Sequence, residues 1–159
     1  MLTYNCTEEA FTLQNDAFTE DPTELTISLT ILNSTCTGST GEFIIQSGLD
    51  FDYTLATKSI YIPNNNMING DGIYHFEYQY NGTTYQTCTL VLCSGKCDVY
   101  NAIYNNMGSC DCKDSDLDKA YNIFMHVQVA QSLTECDDCC KAQEVYDNLL
   151  NLLNECTTC

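Results

Sequence analysis

The stretch DGIYHFEYQYNGTTYQTCTLVLC, residues 71–93, decides the fold of this chain. Its Asn81-Gly82 step is the preferred two-residue turn of a β-hairpin. In the strand before that turn, mainly polar residues alternate with four aromatic ones: Tyr74, Phe76, Tyr78 and Tyr80. Because successive side chains of a strand point to opposite faces, the aromatic face is the one expected to be buried. The stretch therefore predicts an antiparallel hairpin with one face in a core.

Shorter candidate strands precede this hairpin. ELTISLTIL, residues 24–32, alternates Leu or Ile with Thr or Ser, which is typical of a half-buried strand. GEFIIQ, DFDYTL and SIYIP follow, separated by clusters of turn-forming residues. About seven short strands in a row is the number expected of a β-sandwich. We therefore assign residues 1–92 to a β-sandwich domain.

The start of the aromatic strand narrows the type of sandwich. Asp71-Gly72-Ile73-Tyr74 resembles the beginning of strand F in immunoglobulin-like domains, where a corner tyrosine lies two residues before a cysteine. The resemblance implies that Tyr74 is the corner tyrosine and that Phe76 occupies the cysteine position. The chain has no tryptophan, so the strand-C tryptophan of antibody domains has no counterpart. The expected domain is immunoglobulin-like without being an antibody domain.

From residue 93 the pattern becomes helical. SGKCDVYNAIYNNMG, residues 94–108, predicts a short helix. A longer helix is expected to open at Ser115-Asp116, to continue to Leu133, and to place these residues on one face: Leu117, Ala120, Phe124 and Val127. After TECDDCC, a further helix has an apolar face of its own: Ala142, Val145, Leu149, Leu152 and Leu153.

Two such helices joined by a tight connection make an antiparallel helical hairpin. The predicted fold class is therefore α+β. An N-terminal immunoglobulin-like antiparallel β-sandwich is followed by a cysteine-rich C-terminal α-helical hairpin, with residues 93–159 as the helical module.

Charge and composition exclude several functions. The chain carries 22 acidic and 5 basic residues, all five of them lysines, for a net charge of -17. A nucleic-acid binder needs a basic surface to displace counterions, so nucleic acids and anionic membranes are not expected partners. The N-terminal stretch lacks the basic and apolar regions of a secretory signal peptide. On that basis we expect a reducing cytosol, where cysteines favour metal over disulfides.

The first candidate site lies at the open end of the helical hairpin. An antiparallel return brings the end of the second helix beside the start of the first, and with it two cysteine pairs: Cys110, Cys112, Cys156 and Cys159. Four thiolates around Zn²⁺ form the usual structural site, which would clamp the hairpin shut. We favour structural zinc, with two disulfides as the alternative and free or mixed thiols as the third possibility.

A second metal site is a further expectation at the hairpin tip. Its ligands would come from five cysteines, with Cys88 of the preceding strand as a sixth candidate: Cys93, Cys97, Cys136, Cys139 and Cys140. Cys6 and Cys36 are isolated in the β region and are expected to be buried free cysteines.

The sequence shows no clear residue pattern of a catalytic site. The two histidines, His75 and His126, have no cysteine close by in sequence that would form a nucleophilic pair. Cys156-Thr157-Thr158-Cys159 follows a helix C-terminus, whereas reactive Cys-x-x-Cys pairs sit at helix N-termini, where the dipole lowers the thiol pKa. We therefore expect no enzyme and no small-molecule substrate.

The layout as a whole resembles virion structural proteins of tailed bacteriophages that infect Bacteroidetes, the crAss-like type. The residues that carry this resemblance are Asp71-Gly72-x-Tyr74, the run Cys88, Cys93 and Cys97, Cys110-Asp111-Cys112, and Cys156-x-x-Cys159. It implies a non-enzymatic particle component, assembled in the host cytoplasm as part of a ring or collar of the tail or head–tail junction. Its partners would be other virion proteins and copies of itself.

Two further functions follow from the residues alone. The hairpin tyrosines would present an aromatic surface to glycans or a receptor, unless they pack across strands instead, which we favour. A secreted disulfide-rich protein is the other alternative, and it requires oxidised cysteines.

Overall fold

The computed structural model describes residues 1–63, 67–93 and 114–154, with side chains omitted for residues 114–117. The described residues form eight strands: β1 Leu2–Asn5, β2 Ala10–Gln14, β3 Glu24–Leu32, β4 Gly38–Gln46, β5 Asp52–Thr54, β6 Ser59–Pro63, β7 Gly72–Tyr80 and β8 Thr83–Val91. Two helices follow them: α1 Asp114–Glu135 and α2 Cys139–Asn154. The predicted short helix at residues 94–108 lies outside the described residues.

The strands form two antiparallel four-stranded sheets, in the orders β1-β2-β6-β5 and β4-β3-β7-β8. In immunoglobulin terms these are the ABED sheet and the CFG sheet, with one extra strand, C′, beside C. The predicted α+β class, an immunoglobulin-like sandwich followed by a helical pair, is therefore confirmed. The strands β1 and β2 were not among the predicted ones.

The β7–β8 hairpin has the predicted register and turn. Asn81 and Gly82 both have positive φ, 49° and 79°, as the favoured two-residue hairpin turn requires. The four aromatic residues of β7 are all buried, each at most 8% exposed. Phe76, at the position of the immunoglobulin cysteine, packs on Phe11 of β2 with ring centroids 4.9 Å apart. An aromatic pair therefore joins the two sheets where antibody domains have a disulfide.

The tyrosine corner is present. The Tyr74 hydroxyl donates to the Gly70 carbonyl oxygen at 2.7 Å and accepts from the Asn69 amide at 2.8 Å. Burial of the ring raises the pKa of the Tyr74 hydroxyl. These two bonds hold the loop that enters β7 against the strand, as the resemblance to strand F implied.

The helices pack on the outer face of the second sheet. A second hydrophobic cluster combines Ile73 of β7 and Leu90 of β8 with the inward faces of both helices. On α1 that face carries Ala120, Ile123 and Val127. The predicted assignment of Phe124 to this face is wrong, since Phe124 is 36% exposed while Ile123 is fully buried. The boundary at residue 92 stays a prediction, and elements on both sides of it share this cluster.

Replacing Tyr74 with Phe is expected to lower the free energy of unfolding by about 1 kcal/mol or more, because the Gly70 carbonyl and the Asn69 amide lose their partner. Urea denaturation followed by near-ultraviolet circular dichroism measures the change. Tyr61→Phe, at a half-exposed position on β6, is the matched control and is expected to stay within about 0.5 kcal/mol of the parent. If Tyr74→Phe were as stable as Tyr61→Phe, the stabilising role of the tyrosine corner would be contradicted.

Two buried tyrosines are expected to lose their hydroxyl protons at a higher pH than tyrosines of the unfolded chain. Burial raises the pKa of Tyr78 and of Tyr146 to about 12. Unfolded tyrosines ionise near pH 10, so the folded state holds these two protons longer. The stability they contribute is complete below pH 10 and is lost as the pH rises toward 12. Phenolate absorbance should therefore rise at a higher pH in the folded protein than in the denatured protein. Tyr78→Phe should remove part of this difference in pH. Coincident curves would contradict this burial.

Candidate functional site: a disulfide-stapled helical hairpin

Three disulfides join distant parts of the described chain: Cys6–Cys93, Cys36–Cys140 and Cys88–Cys139. Their Cα–Cα distances are 5.5, 5.2 and 6.0 Å, inside the range that a disulfide spans. Cys136, at the tip of the helical hairpin, is a free and exposed thiol.

Two of the disulfides form a double staple at the hairpin tip. Cys139 and Cys140 are the first residues of α2, and they bond to different elements of one sheet. Cys139 reaches Cys88 on β8, and Cys140 reaches Cys36 in the β3–β4 loop. Two adjacent residues therefore fix the start of α2 at two separate points on the sheet.

The β3–β4 loop is organised to present Cys36. The Asn33 side-chain oxygen accepts from the backbone amides of Thr35 and Thr37, at 3.1 and 3.2 Å. Cys36 itself takes a left-handed conformation, with φ of 58°. Gly38 begins β4 at a point where a Cβ would lie 1.9 Å from the Ile31 carbonyl oxygen, so the return strand needs glycine there. These local constraints hold Cys36 toward the helices.

The hairpin tip is equally defined. The Asp138 amide donates to the Leu133 carbonyl and the Asp137 amide donates to that of Thr134, which is the Schellman pattern for a helix end. Asp137 has φ of 56°, the left-handed conformation this end requires. The Asp138 carbonyl then accepts the first helical bond of α2, from Ala142 at 3.0 Å. The chain therefore reverses within three residues and places two cysteines side by side.

A polar contact supplements the staple. The Asp137 carboxylate accepts from the Thr87 hydroxyl of β8 at 2.8 Å. Lys141 lies 3.8 Å from the Asp138 carboxylate in an exposed ion pair. A surface pair of this kind contributes little, so the disulfides dominate the attachment of the tip.

The third disulfide joins the two sheets of the sandwich. Cys6, in the β1–β2 connection, bonds to Cys93, two residues after β8 ends. The Cys93 amide also donates to the Asp71 carboxylate at 2.9 Å. The strand at the edge of the first sheet is thus tied to the end of the second.

The cysteine predictions need correction at several positions. Cys6 and Cys36 are not free cysteines but disulfide partners. In the expected second metal site, Cys93, Cys139 and Cys140 each bond to a different cysteine, and a sulfur in a disulfide is not a thiolate ligand. Spacing along the chain had grouped them as neighbours, whereas the fold pairs each with the β domain.

Of the remaining predicted ligands, Cys136 is a free, exposed thiol. The others lie outside the described residues: Cys97, Cys110, Cys112, Cys156 and Cys159. The first zinc site therefore stays a prediction. Within residues 1–63, 67–93 and 114–154, no group of three or more His, Cys, Asp or Glu side chains is arranged to hold a metal ion. At the hairpin tip, Cys139 and Cys140 are in disulfides, so of the three described cysteines there only Cys136 keeps a thiol that could bind a metal.

Disulfides are typical of oxidising surroundings outside the reducing cytosol. The three bonds therefore indicate an oxidising, extracellular or secreted setting, which differs from the reducing cytosol expected from the N-terminal sequence. Among the described residues, neither helix is long and apolar enough to span a membrane.

An open cavity lies between the hairpin tip and the sheet. It has a volume of about 500 Å³ and is lined by Thr40 of β4, His75 of β7, Gln86 of β8, and both tip aspartates. The Gln86 amide donates to the Glu77 carboxylate at 2.7 Å, so part of the polar lining is already paired. The other histidine, His126, lies on α1 with Nδ1 2.7 Å from the Asn122 carbonyl oxygen. The structure does not bring the two histidines and a free thiol into one described cluster.

The tyrosines proposed as an aromatic surface face the core instead. Tyr74, Tyr78 and Tyr80 are buried between the sheets, and Tyr85 is half-buried and stacks on Tyr78 at 5.5 Å. The cross-strand packing that the sequence analysis favoured for these tyrosines is therefore what the structure has.

Comparison of the chain with protein-family models, with curated proteins and with solved structures gives no match. The functional argument therefore depends on the geometry of the chain itself.

Opening the Cys36–Cys140 staple with a double serine variant is expected to lower the free energy of unfolding by about 2–4 kcal/mol, because a long closed loop is released in the unfolded chain. Urea denaturation measures the stability, and hydrogen exchange of α2 measures its docking. Cys136→Ser removes a free, exposed thiol four residues before Cys140 and is the matched control. A double variant as stable and as protected as that control would contradict the staple.

Proposed function

We propose that this chain is a non-enzymatic structural protein of a virus particle, a subunit of a ring or collar in the tail or head–tail junction of a tailed phage. The observation that carries the proposal is the double staple. It joins an immunoglobulin-like sandwich and a helical hairpin covalently at two points, which suits a module that bears load outside cells.

The charge supports an assembly role. With a net charge of -17, free copies repel one another and remain soluble, while basic surfaces on partner proteins attract them. The proposed partners are other virion proteins and copies of this chain held in place by them. The resemblance to crAss-like virion proteins supports the same proposal.

Disulfides are compatible with assembly in the cytoplasm if the cysteines are oxidised after the particle has left the host cell. In this proposal the cysteines are thiols while the particle assembles in the host cytoplasm. Outside the cell, each pair loses two protons and two electrons to a small-molecule disulfide, which is reduced to two thiols. Structural zinc at Cys110, Cys112, Cys156 and Cys159 remains part of the proposal as a clamp at the other end of the hairpin.

The second candidate is a secreted disulfide-rich protein without a particle. It is favoured by the same three disulfides, which the cytosolic expectation did not include. Binding of glycans or a receptor through the hairpin tyrosines loses its basis, because three of those four side chains are buried.

Density-gradient fractionation of the medium of producing cells separates the two candidates. If the virion proposal holds, the chain co-sediments with particles whose DNA resists nuclease, and stripping the particles in denaturant releases it in fixed ratio to the other proteins. Recovery only from the fractions of free protein would overturn the virion proposal in favour of the secreted protein. Lysate of non-producing cells mixed with purified chain is the control for adsorption.

A further inference from the structure

The edges of the two sheets are protected unequally. In the first sheet the edge strands are short: β1 has four residues and β5 has three. In the second sheet, β8 contacts both β1 and α1, and its residues 87–91 are buried. Short or covered edges are the usual protection against unwanted strand pairing.

Within residues 1–63, 67–93 and 114–154, strand β4 is neither short nor covered. It is nine residues long and pairs with β3 alone among the described strands, in a register without a bulge. Its sequence, GSTGEFIIQ, contains neither lysine nor proline, and Glu42 is its one charged residue. Ile44 projects outward and is 60% exposed. A long, regular and uncovered edge offers a row of backbone donors and acceptors to another strand.

The two faces of β4 differ in what they would contact on an added strand. Phe43, on the inner face, packs against the sandwich core and is half-buried, so part of its ring remains exposed. On the outer face lie Thr40, Glu42 and Ile44, and Thr40 lines the cavity that carries Asp137 and Asp138. An added strand would therefore place apolar side chains beside the core and basic ones on the outer face. The stems of lysine or arginine pack on Ile44 while their charges face Glu42.

We propose that β4 is a docking edge, where an extended segment of a partner protein with alternating apolar and basic residues joins the second sheet as a fifth strand. The negative charge of the chain favours a basic partner segment over a second copy of the chain. A second copy would bring its own Glu42 to this edge, and two whole chains that each carry a net charge of -17 repel one another. The inference rests on the proposed assembly function in that it describes the partner, but peptide binding and particle incorporation are measured separately.

An end-capped peptide of alternating valine and lysine, as long as β4, is the probe. It is expected to bind the oxidised chain and to protect the amides of residues 38–46 from hydrogen exchange. Ile44→Lys should weaken binding by about tenfold or more, because it removes the apolar contact and adds a like charge. Leu55→Lys is the matched control: Leu55 is 62% exposed, lies outside the second sheet, and receives the same change of charge. Glu42→Lys should weaken binding as Ile44→Lys does.

Two probe controls separate strand addition from charge attraction. The same peptide with N-methyl groups on alternate residues keeps every charge but loses backbone donors, and it should not bind. The proposal would be overturned if the methylated peptide bound as well as the unmethylated one, or if the unmethylated peptide did not bind at all. It would also be overturned if Ile44→Lys and Leu55→Lys weakened binding equally. A dimer in native mass spectrometry that Ile44→Lys abolishes would also overturn it, because the occupant would then be a second copy. If the peptide binds but the chain is absent from particles, the docking edge survives and the virion function fails.

Discussion

The pair Cys139–Cys140 is the constraint on which the rest of the structure depends. Side chains of adjacent residues leave a helix in different directions, and here they are bonded to β8 and to the β3–β4 loop. One attachment would let the helical hairpin pivot on the sheet. Two attachments at consecutive residues remove that freedom, so the start of α2 has one position relative to the sandwich.

That position determines which surfaces are covered and which remain accessible. The hairpin lies over the outer face of β7 and β8, where it buries Ile73 and Leu90 in a second hydrophobic cluster. The cluster consists mainly of apolar side chains, so docking and disulfide formation stabilise each other. The same placement puts Asp137 and Asp138 of the tip beside the start of β4, and neither described helix covers the outer edge of that strand.

Much of the fold could be predicted from local sequence patterns. Alternation identified β3 and the β7–β8 hairpin, the Asn81-Gly82 turn identified their connection, and helical spacing located both helices. The buried aromatic face of β7 and the tyrosine corner at Tyr74 followed from the same stretch. These features are set by residues close in sequence, where periodicity and turn chemistry are informative. Phe124 was misassigned because neighbouring positions on a helix both fit a broad apolar stripe, and only packing against the sheet selects Ile123.

The cysteine pairing was not predictable in the same way. The partners are separated by 51 to 104 residues, and each pair joins an element of the sandwich to a segment beyond it or near its end. Spacing along the chain grouped Cys136, Cys139 and Cys140 as a local cluster, which favoured a metal site. Which cysteines meet is decided by the three-dimensional arrangement of β3, β8 and α2, which no local pattern contains.

The most direct test of the account is disulfide mapping by mass spectrometry, on protein purified without added metal, reductant or oxidant and digested under non-reducing conditions. Fragment ions must break the chain between Cys139 and Cys140, because only then can their partners be told apart. The account predicts Cys36 linked to Cys140, Cys88 linked to Cys139, and Cys6 linked to Cys93, with Cys136 open to alkylation. Zinc released on denaturation together with alkylatable Cys139 and Cys140 would contradict it, as would the exchanged pairing of these two residues.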